Sequence, residues 1–395
     1  MTDSFEQYAG RYKLSYVKIA NNDITNMVNE INVFSSIMDT TNVIKIIVND
    51  GRGLLTSVPF MGGQDVEISL DFNGDGQKYK MKVAKIRDIK SLETSRLYVV
   101  ECISQFAFES QYKKISKAYS GLVTDVANSI WEEYGGGEKI GIFHPSDNKQ
   151  SVIIPNWSPQ KTMTWLAKRA KYSQTNTRFK FYQDSKGKYN FLPLELFNEI
   201  YSKPSIEYTI RKDVRRQDNI GGDTPNTSSD MTSVLSMYHG DSMDIINAIR
   251  QGVISSKNVN INVYDKSLSQ QEYNYFSDAN SSYYNKGKFY DEDNYGPGRL
   301  RFNVDGNYPD NALIEVSQMK NSQIFPHSGM VTIVVMGNQS LDLGQNIRLK
   351  VPKVDPAEQD KPDEIYDGVY MIVGKRDKYD KDKIVSSLDL IKDGL

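Results

Sequence analysis

The stretch Gly63-Gln64-Asp65-Val66-Glu67-Ile68-Ser69-Leu70 constrains the fold more than any other. The chain uses it again as Gly344-Gln345-Asn346-Ile347-Arg348-Leu349-Lys350-Val351. Both copies open with Gly-Gln and then alternate polar with branched apolar residues, the period-2 pattern of a half-buried strand. The echo extends to both sides. Lys45-Ile46-Ile47-Val48 matches Thr332-Ile333-Val334-Val335 upstream, and Met81-Lys82-Val83-Ala84-Lys85 matches Met371-Ile372-Val373-Gly374-Lys375 downstream. A last strand follows each, at residues 96–103 and 384–391. Three matches in one order predict a duplicated all-β domain over residues 43–103 and 330–391, with Gly63 on Gly344 and Met81 on Met371.

The first copy also implies its own register. A four-residue loop Asn73-Gly74-Asp75-Gly76 places Asp71 opposite Lys78 and Glu67 opposite Lys82. Leu70–Tyr79, Ile68–Met81 and Val66–Val83 then pair on the other face. One face carries opposite charges and the other is apolar, and a slip of one residue would turn the apolar set into water.

A chain of 395 residues provides for roughly two to four domains. Its net charge of -2 creates no basic field to draw it to nucleic acid or anionic lipid. The single cysteine, Cys102, excludes an internal disulfide framework and a cysteine-built metal site; in an apolar strand run it reads as a small buried hydrophobe. No stretch reaches the ~20 apolar residues of a membrane span, and the N-terminus lacks a signal-peptide pattern. Folding in a reducing cytoplasm is the expectation.

In chain order, residues 1–108 read as a first β domain, with a strand over Leu14–Ile19, a turn at Asn21-Asn22-Asp23 and a strand-rich segment over Ile24–Phe34. The period changes after residue 109. Ser120 is a candidate cap for a helix whose Leu122, Val123, Val126, Ala127, Ile130 and Trp131 share one stripe, ending at Gly135. Trp157-Ser158-Pro159 announces a second helix, with Ser as N-cap and Pro at the first helical position. An aromatic hairpin follows, Phe179 and Phe181 before the loop Asp184-Ser185-Lys186-Gly187, Tyr189 and Phe191 after it. These elements make a small α+β domain over residues 109–204. Ile206, Tyr208 and Ile210 begin another strand run, before a polar loop at Gly221–Asn226. Asp241 is placed to cap a short helix carrying Ile245, Ile246 and Ile249 and stopped at Gly252, and Val259, Ile261 and Val263 are strand-like. Residues 265–312, rich in Tyr, Asn, Ser and Asp, read as a loop-rich insertion. The second β domain is therefore interrupted, spanning residues 205–238 and 326–395 around an insert at 239–325. The fold class is α+β, mostly β.

Chemistry-bearing patterns favour structural readings. Asp71-x-Asn73-x-Asp75-Gly76 matches half of an EF-hand loop, but Lys82 stands where the bidentate Glu is required. Gly135-Gly136-Gly137 follows a helix rather than a strand, which suits a helix stop and not a phosphate loop. His144, His239 and His327 show no zinc spacing. Glu132 and Glu133 point about 100° apart on a helix, as on a solvated face. Asp377-Lys378-Tyr379-Asp380-Lys381-Asp382-Lys383, balanced in sign between two strands, reads as a solvated hairpin loop. No catalytic, cofactor-binding or metal residue is predicted.

The layout resembles the central baseplate hub proteins of contractile-tailed, T-even-type bacteriophages. The features behind this are the repeated β domain, the motif Trp157-Ser158-Pro159-Gln160-Lys161-Thr162-Met163-Thr164-Trp165-Leu166, the segment Met243-Asp244-Ile245-Ile246-Asn247-Ala248-Ile249-Arg250-Gln251-Gly252, and the ending Gly368–Val373 followed by Ser386-Ser387-Leu388-Asp389-Leu390. Asp377 stands where relatives often place a histidine. The resemblance implies two tail-tube-like β-barrel or sandwich domains, a non-enzymatic role, and a homotrimer whose pseudo-sixfold ring joins the sixfold tail tube to a threefold central spike. It further implies contacts with the spike, tube and surrounding baseplate proteins, DNA only in transit through an open channel, and a place in the virion baseplate after assembly in the host cytoplasm. Related spike proteins of type VI secretion systems share the plan and continue into a β-helix; no such repeat occurs in these 395 residues. Two other readings stay open: a tail-associated cell-wall hydrolase, which needs a carboxylate pair, and a tail-tip receptor-binding protein that uses the Tyr- and Asn-rich insertion.

Overall fold

Alternating apolar residues build a first barrel in the computed structural model, which describes residues 12–57, 62–72, 75–136, 140–141, 143–170, 179–193, 196–197, 203–210, 232–239, 250, 255–263, 266–274, 299–305, 330–354, 361–363, 365–380 and 383–392. Its elements are β1 (Lys13–Ile19), β2 (Asn22–Asp23), β3 (Val28–Ser36), β4 (Val43–Asp50), the single turn α1 (Leu54–Ser57), β5 (Asp65–Phe72), β6 (Asp75–Ser91) and β7 (Arg96–Ser104). The strands run in the order β3-β4-β7-β6-β5-β1-β2, a barrel-like curl that no pairing closes among the described residues, since the free edge of β3 goes to β19. Val17, Ile31, Ile46, Ile68, Val83, Val100 and Cys102 form one buried cluster inside.

The segment that follows is helix on hairpin. Its elements are α2 (Gln105–Glu109), β8 (Ile115–Leu122), α3 (Val123–Tyr134), β9 (Lys149–Trp157), α4 (Pro159–Ala167), β10 (Phe179–Gln183) and β11 (Tyr189–Pro193). Gly135 ends α3 and Ser158 caps α4 through Lys161 N, with Pro159 in the first turn, as the sequence predicts. Ser120 does not cap α3. It lies in β8 and shares a hydrogen bond with Ser151, while the N-cap position falls to Leu122, without a side-chain cap. Strand β8 carries no clear sequence signal because it is mostly exposed, so its burial does not alternate. Val126, Ile130 and Trp131 of α3 pack with Met163, Leu166, Phe181 and Phe191.

The second barrel is assembled from distant segments. β12 (Glu207–Ile210) and β13 (Ser233–His239) precede a separate three-stranded sheet of β14 (Ser255–Asn262), β15 (Ser267–Asn274) and β16 (Arg299–Asp305). β17 (Val331–Met336), β18 (Asn346–Lys350), β19 (Gly368–Asp380) and β20 (Lys383–Ile391) then rejoin β12 and β13. Six strands close on themselves in the order β12-β13-β17-β20-β19-β18. Segment 265–312 is therefore not all loop: it contains β15 and β16, which pair with β14 just before it. The predicted loop at 221–226 and the helical residues 241–249 lie outside the described residues.

The two barrels repeat one strand order. β3-β4-β7-β6-β5 corresponds to β13-β17-β20-β19-β18, every neighbouring pair being antiparallel in both. Gly63 N donates to Val83 O at 2.7 Å, and Gly344 N donates to Ile372 O at 2.8 Å. Both glycines have φ +83°. A bulge follows in each copy, between Val83 and Lys85 and between Ile372 and Gly374. Gly63 thus falls on Gly344, but Val83 falls on Ile372, so Met81 corresponds to Tyr370 and not to Met371. The shared methionine misleads because β19 is buried on both faces from Tyr370 to Lys375, which erases the alternation that would fix the alignment. The first strand departs more deeply. β1 runs antiparallel to β5, whereas β12 runs parallel to β18.

The β5–β6 hairpin is tighter than predicted. Phe72 pairs with Asp75, which leaves two residues for the connection, and their sequence, Asn-Gly, suits a two-residue turn. The register is displaced by two: Glu67 faces Lys80 and Asp65 faces Lys82, with Asp65–Lys82 an ion pair at 2.7 Å. Val66–Met81 and Ile68–Tyr79 are the apolar partners. A two-residue shift preserves faces, so the charged and apolar sides stand as expected.

Candidate assembly interface

One strand edge joins the barrels. The distal half of β19 leaves β18 behind and pairs antiparallel with β3, from Gly374–Ser36 to Asp380–Glu30. Side chains fasten it. Arg376 donates twice to Asn32 Oδ1, at 2.9 and 3.2 Å, and its guanidinium lies 5.1 Å from the Phe34 ring centre. Lys378 meets Glu30 at 2.9 Å. Burial works against the charge of Glu30, but the Asn32 amide and the Lys378 ammonium outweigh it and hold the carboxyl below its usual range.

The run from Asp377 to Lys383 is not a solvated loop. Residues up to Asp380 belong to β19, and β20 begins at Lys383. Tyr379 and Ile384 are buried in the core of the first barrel, where Tyr379 meets Tyr12 edge-on at 5.0 Å. Asp377 is 2% exposed and Lys375 3%. Lys375 Nζ lies 3.1 Å from Asp377 Oδ2 and donates to the carbonyls of Asn338 and Leu341 at 3.2 and 3.0 Å. Ser386 Oγ donates to the other Asp377 oxygen at 2.5 Å. A balanced charge pattern is the same in an exposed loop and in a buried pair; only the covering strand distinguishes them.

The aromatic hairpin wedges its loop between the barrels. Ser185 O accepts from Tyr79 Oη at 2.9 Å and from Gln77 at 3.1 Å in the first, while Ser185 N donates to Asp342 Oδ1 at 3.1 Å in the second. Gln183 Oε1 accepts from Asn42 N at 2.9 Å, and Gln160 of the Trp157–Leu166 motif donates to Thr40. Burial raises the Asp184 carboxyl above its ordinary value, and the negative charge of Asp342 adds to this. A carboxyl raised on folding contributes stability that is full below its unfolded pKa and lost as pH rises through the folded one. Asp184→Asn keeps the oxygen that accepts from Lys186 N and Lys188 N, so the variant should gain stability relative to the parent at pH 7 compared with pH 4. Denaturant unfolding at both values checks this; an equal difference at both would refute it.

The residues that looked chemical are dispersed. Glu133 pairs with Lys117 at 3.2 Å and Glu132 accepts from Asn128, both on an exposed helix face. Cys102 is buried, and burial pushes its thiol up. His239 lies tilted at 47° against Tyr366 with ring centres 4.2 Å apart, His144 Nδ1 lies 2.9 Å from Pro145 O, and His327 lies outside the described residues. Among the described residues, no group of three or more His, Cys, Asp and Glu could hold a metal ion, and no helix is long and apolar enough to cross a membrane.

No family model matches the chain, and no curated protein matches it in sequence. Solved structures match it in fold. The tail protein from Neisseria meningitidis MC58 superposes with a TM-score of 0.61 at 13% identity, over 97% of this chain and 97% of that one. The 43 kDa tail protein of prophage MuSo2 from Shewanella oneidensis gives 0.59 at 11% identity, over 96% and 98%. The likeness extends over nearly the whole chain, barrels and intervening segments together.

Proposed function

We propose that the chain is a structural hub subunit of a contractile phage tail baseplate. Three copies form a pseudo-sixfold ring of barrels around an open channel, which joins the sixfold tail tube to the threefold central spike. The observation that carries this reading is the pair of barrels of one strand order joined edge to edge within one chain, in a fold shared with two tail proteins. A sixfold tube and a threefold spike cannot both be met by one surface used once. Three subunits that each present two near-equivalent barrels offer six positions above while keeping a true threefold axis below. Tube, spike and neighbouring baseplate proteins are then the partners, DNA passes only in transit, and the virion is the site of action. The role is non-enzymatic: Glu132 and Glu133, the one carboxylate pair singled out, serve a solvated face.

Native mass measurement and electron microscopy of the purified protein test this. Three chains enclosing a channel are expected, with no release of peptidoglycan fragments. A two-fold dimer, or fragment release abolished by Glu133→Gln, would overturn the reading.

A further inference from the structure

The β3–β19 junction within the chain has a counterpart edge on each barrel that, among the described residues, no strand covers. β3 lies on the distal half of β19. The counterpart of β19 is β6: Arg87 faces Val99 as Arg376 faces Ser387, and Lys90 faces Leu97 as Lys378 faces Val385. The counterpart of β3 is β13. Ile31 pairs with Ile46 as Met237 pairs with Ile333, and both strands carry a bulge two residues earlier, between Val28 and Glu30 and between Val234 and Ser236. Among the described residues, no strand pairs with the second edge of β6 beyond Val83, nor with that of β13 beyond Val234.

Both open edges expose apolar side chains. Ile89 and Leu92, at the β6–β7 hairpin, are 53% and 58% exposed, and Leu235 and Tyr238 of β13 are 54% and 60% exposed. Unpaired strand edges invite pairing, and both of these carry exposed apolar side chains, over residues 84–91 of β6 and 235–239 of β13. We infer that the β13 edge of one copy pairs antiparallel with the β6 edge of a second copy, Tyr238 opposite Lys90, repeating the β3–β19 contact between chains. The register follows by substitution: Asn32 faces Lys378 within the chain, and Tyr238 and Lys90 are their counterparts. Arg87 then takes the place of Arg376, reaching toward Tyr238 of the second copy as Arg376 reaches Asn32. The β6 edge differs from β19 in one respect. An extra residue forms a bulge at Asp88–Ile89, with Asp88 at φ +56°. Such a bulge blocks indiscriminate strand addition, so the edge accepts a partner shaped to it rather than any strand.

This rests on the ring proposed above, and the contact is heterologous, so it closes into a ring or runs on as a filament. The test is oxidative cross-linking of a variant with Lys90→Cys and Tyr238→Cys, run beside Ser129→Cys with Tyr238→Cys as an off-edge control, Ser129 being exposed on α3. The buried Cys102 does not compete. Disulfide-linked chains at least tenfold above the control are expected, stopping at a closed trimer on non-reducing gels. Cross-linking no greater than the control overturns the edge pairing, whatever the native mass; if three chains are nevertheless present, the ring reading survives without this contact. Strong cross-linking in an open ladder supports the pairing and sinks the closed ring. Leu92→Asp, at a position already exposed in the single chain, should abolish the cross-link while leaving the unfolding midpoint of the dilute chain unchanged.

Discussion

Lys375→Met should destabilise the fold by about 3–5 kcal/mol, the usual cost of removing one partner from a buried ion pair. The side chains of Lys375 and Asp377 are 1% and 3% exposed. Without the ammonium, Asp377 retains, among the described residues, only Ser386 as a hydrogen-bond donor, and its burial keeps water from replacing the lost partner. The buried carbonyl of Leu341 also loses its donor, an orphaned acceptor that costs about 1–3 kcal/mol, and the half-buried carbonyl of Asn338 loses the same donor. Lys378→Met is the control. Its partner Glu30 lies at the rim, with the two side chains 41% and 19% exposed, so its loss should cost no more than about 1 kcal/mol. Urea unfolding of both variants decides the matter. Equal, small losses would mean that Asp377 is hydrated and that the β19–β3 cover is loose.

Gly344→Ala should cost about 2–5 kcal/mol. A left-handed residue with a Cβ costs about 1–2 kcal/mol, and overpacking a well-filled site costs typically about 1–3. Gly344 has φ +83°, and an added Cβ would fall 2.2 Å from the Phe197 ring, which is itself buried in the second core. Gly63 supplies an internal comparison at the equivalent position. It has the same φ, but its Cβ would meet only the tip of Phe108 at 3.0 Å, so Gly63→Ala should carry the backbone strain with little of the clash. Gly51→Ala, with nothing within 4 Å, should be close to neutral. Thermal unfolding of the three variants should rank them in that order, and a Gly344→Ala protein as stable as Gly51→Ala would show that Phe197 moves aside freely.

The sequence by itself determined what depends on local periodicity. Alternation in Asp65–Leu70 and Lys45–Val48 marks strands because each has one face in the core and one outside it. The duplication was legible for the same reason, since equivalent strands in two like barrels repeat the same alternation. Ser158-Pro159 and Gly135 announce helix ends because a cap is a contact between near neighbours in sequence. Tertiary structure alone decided the rest. Alternation is unchanged by a shift of two residues, so it could not choose between Glu67–Lys82 and Glu67–Lys80; the pairing of Phe72 with Asp75 does. β19 lost its alternation because both of its faces are buried from Tyr370 to Lys375. Its charged end went unrecognised because the partner that covers it, β3, lies far away in the chain, as the Arg376–Asn32 separation of 344 shows. Burial of Lys375 and Asp377 is a property of that distant pairing, and no window of sequence around them contains it.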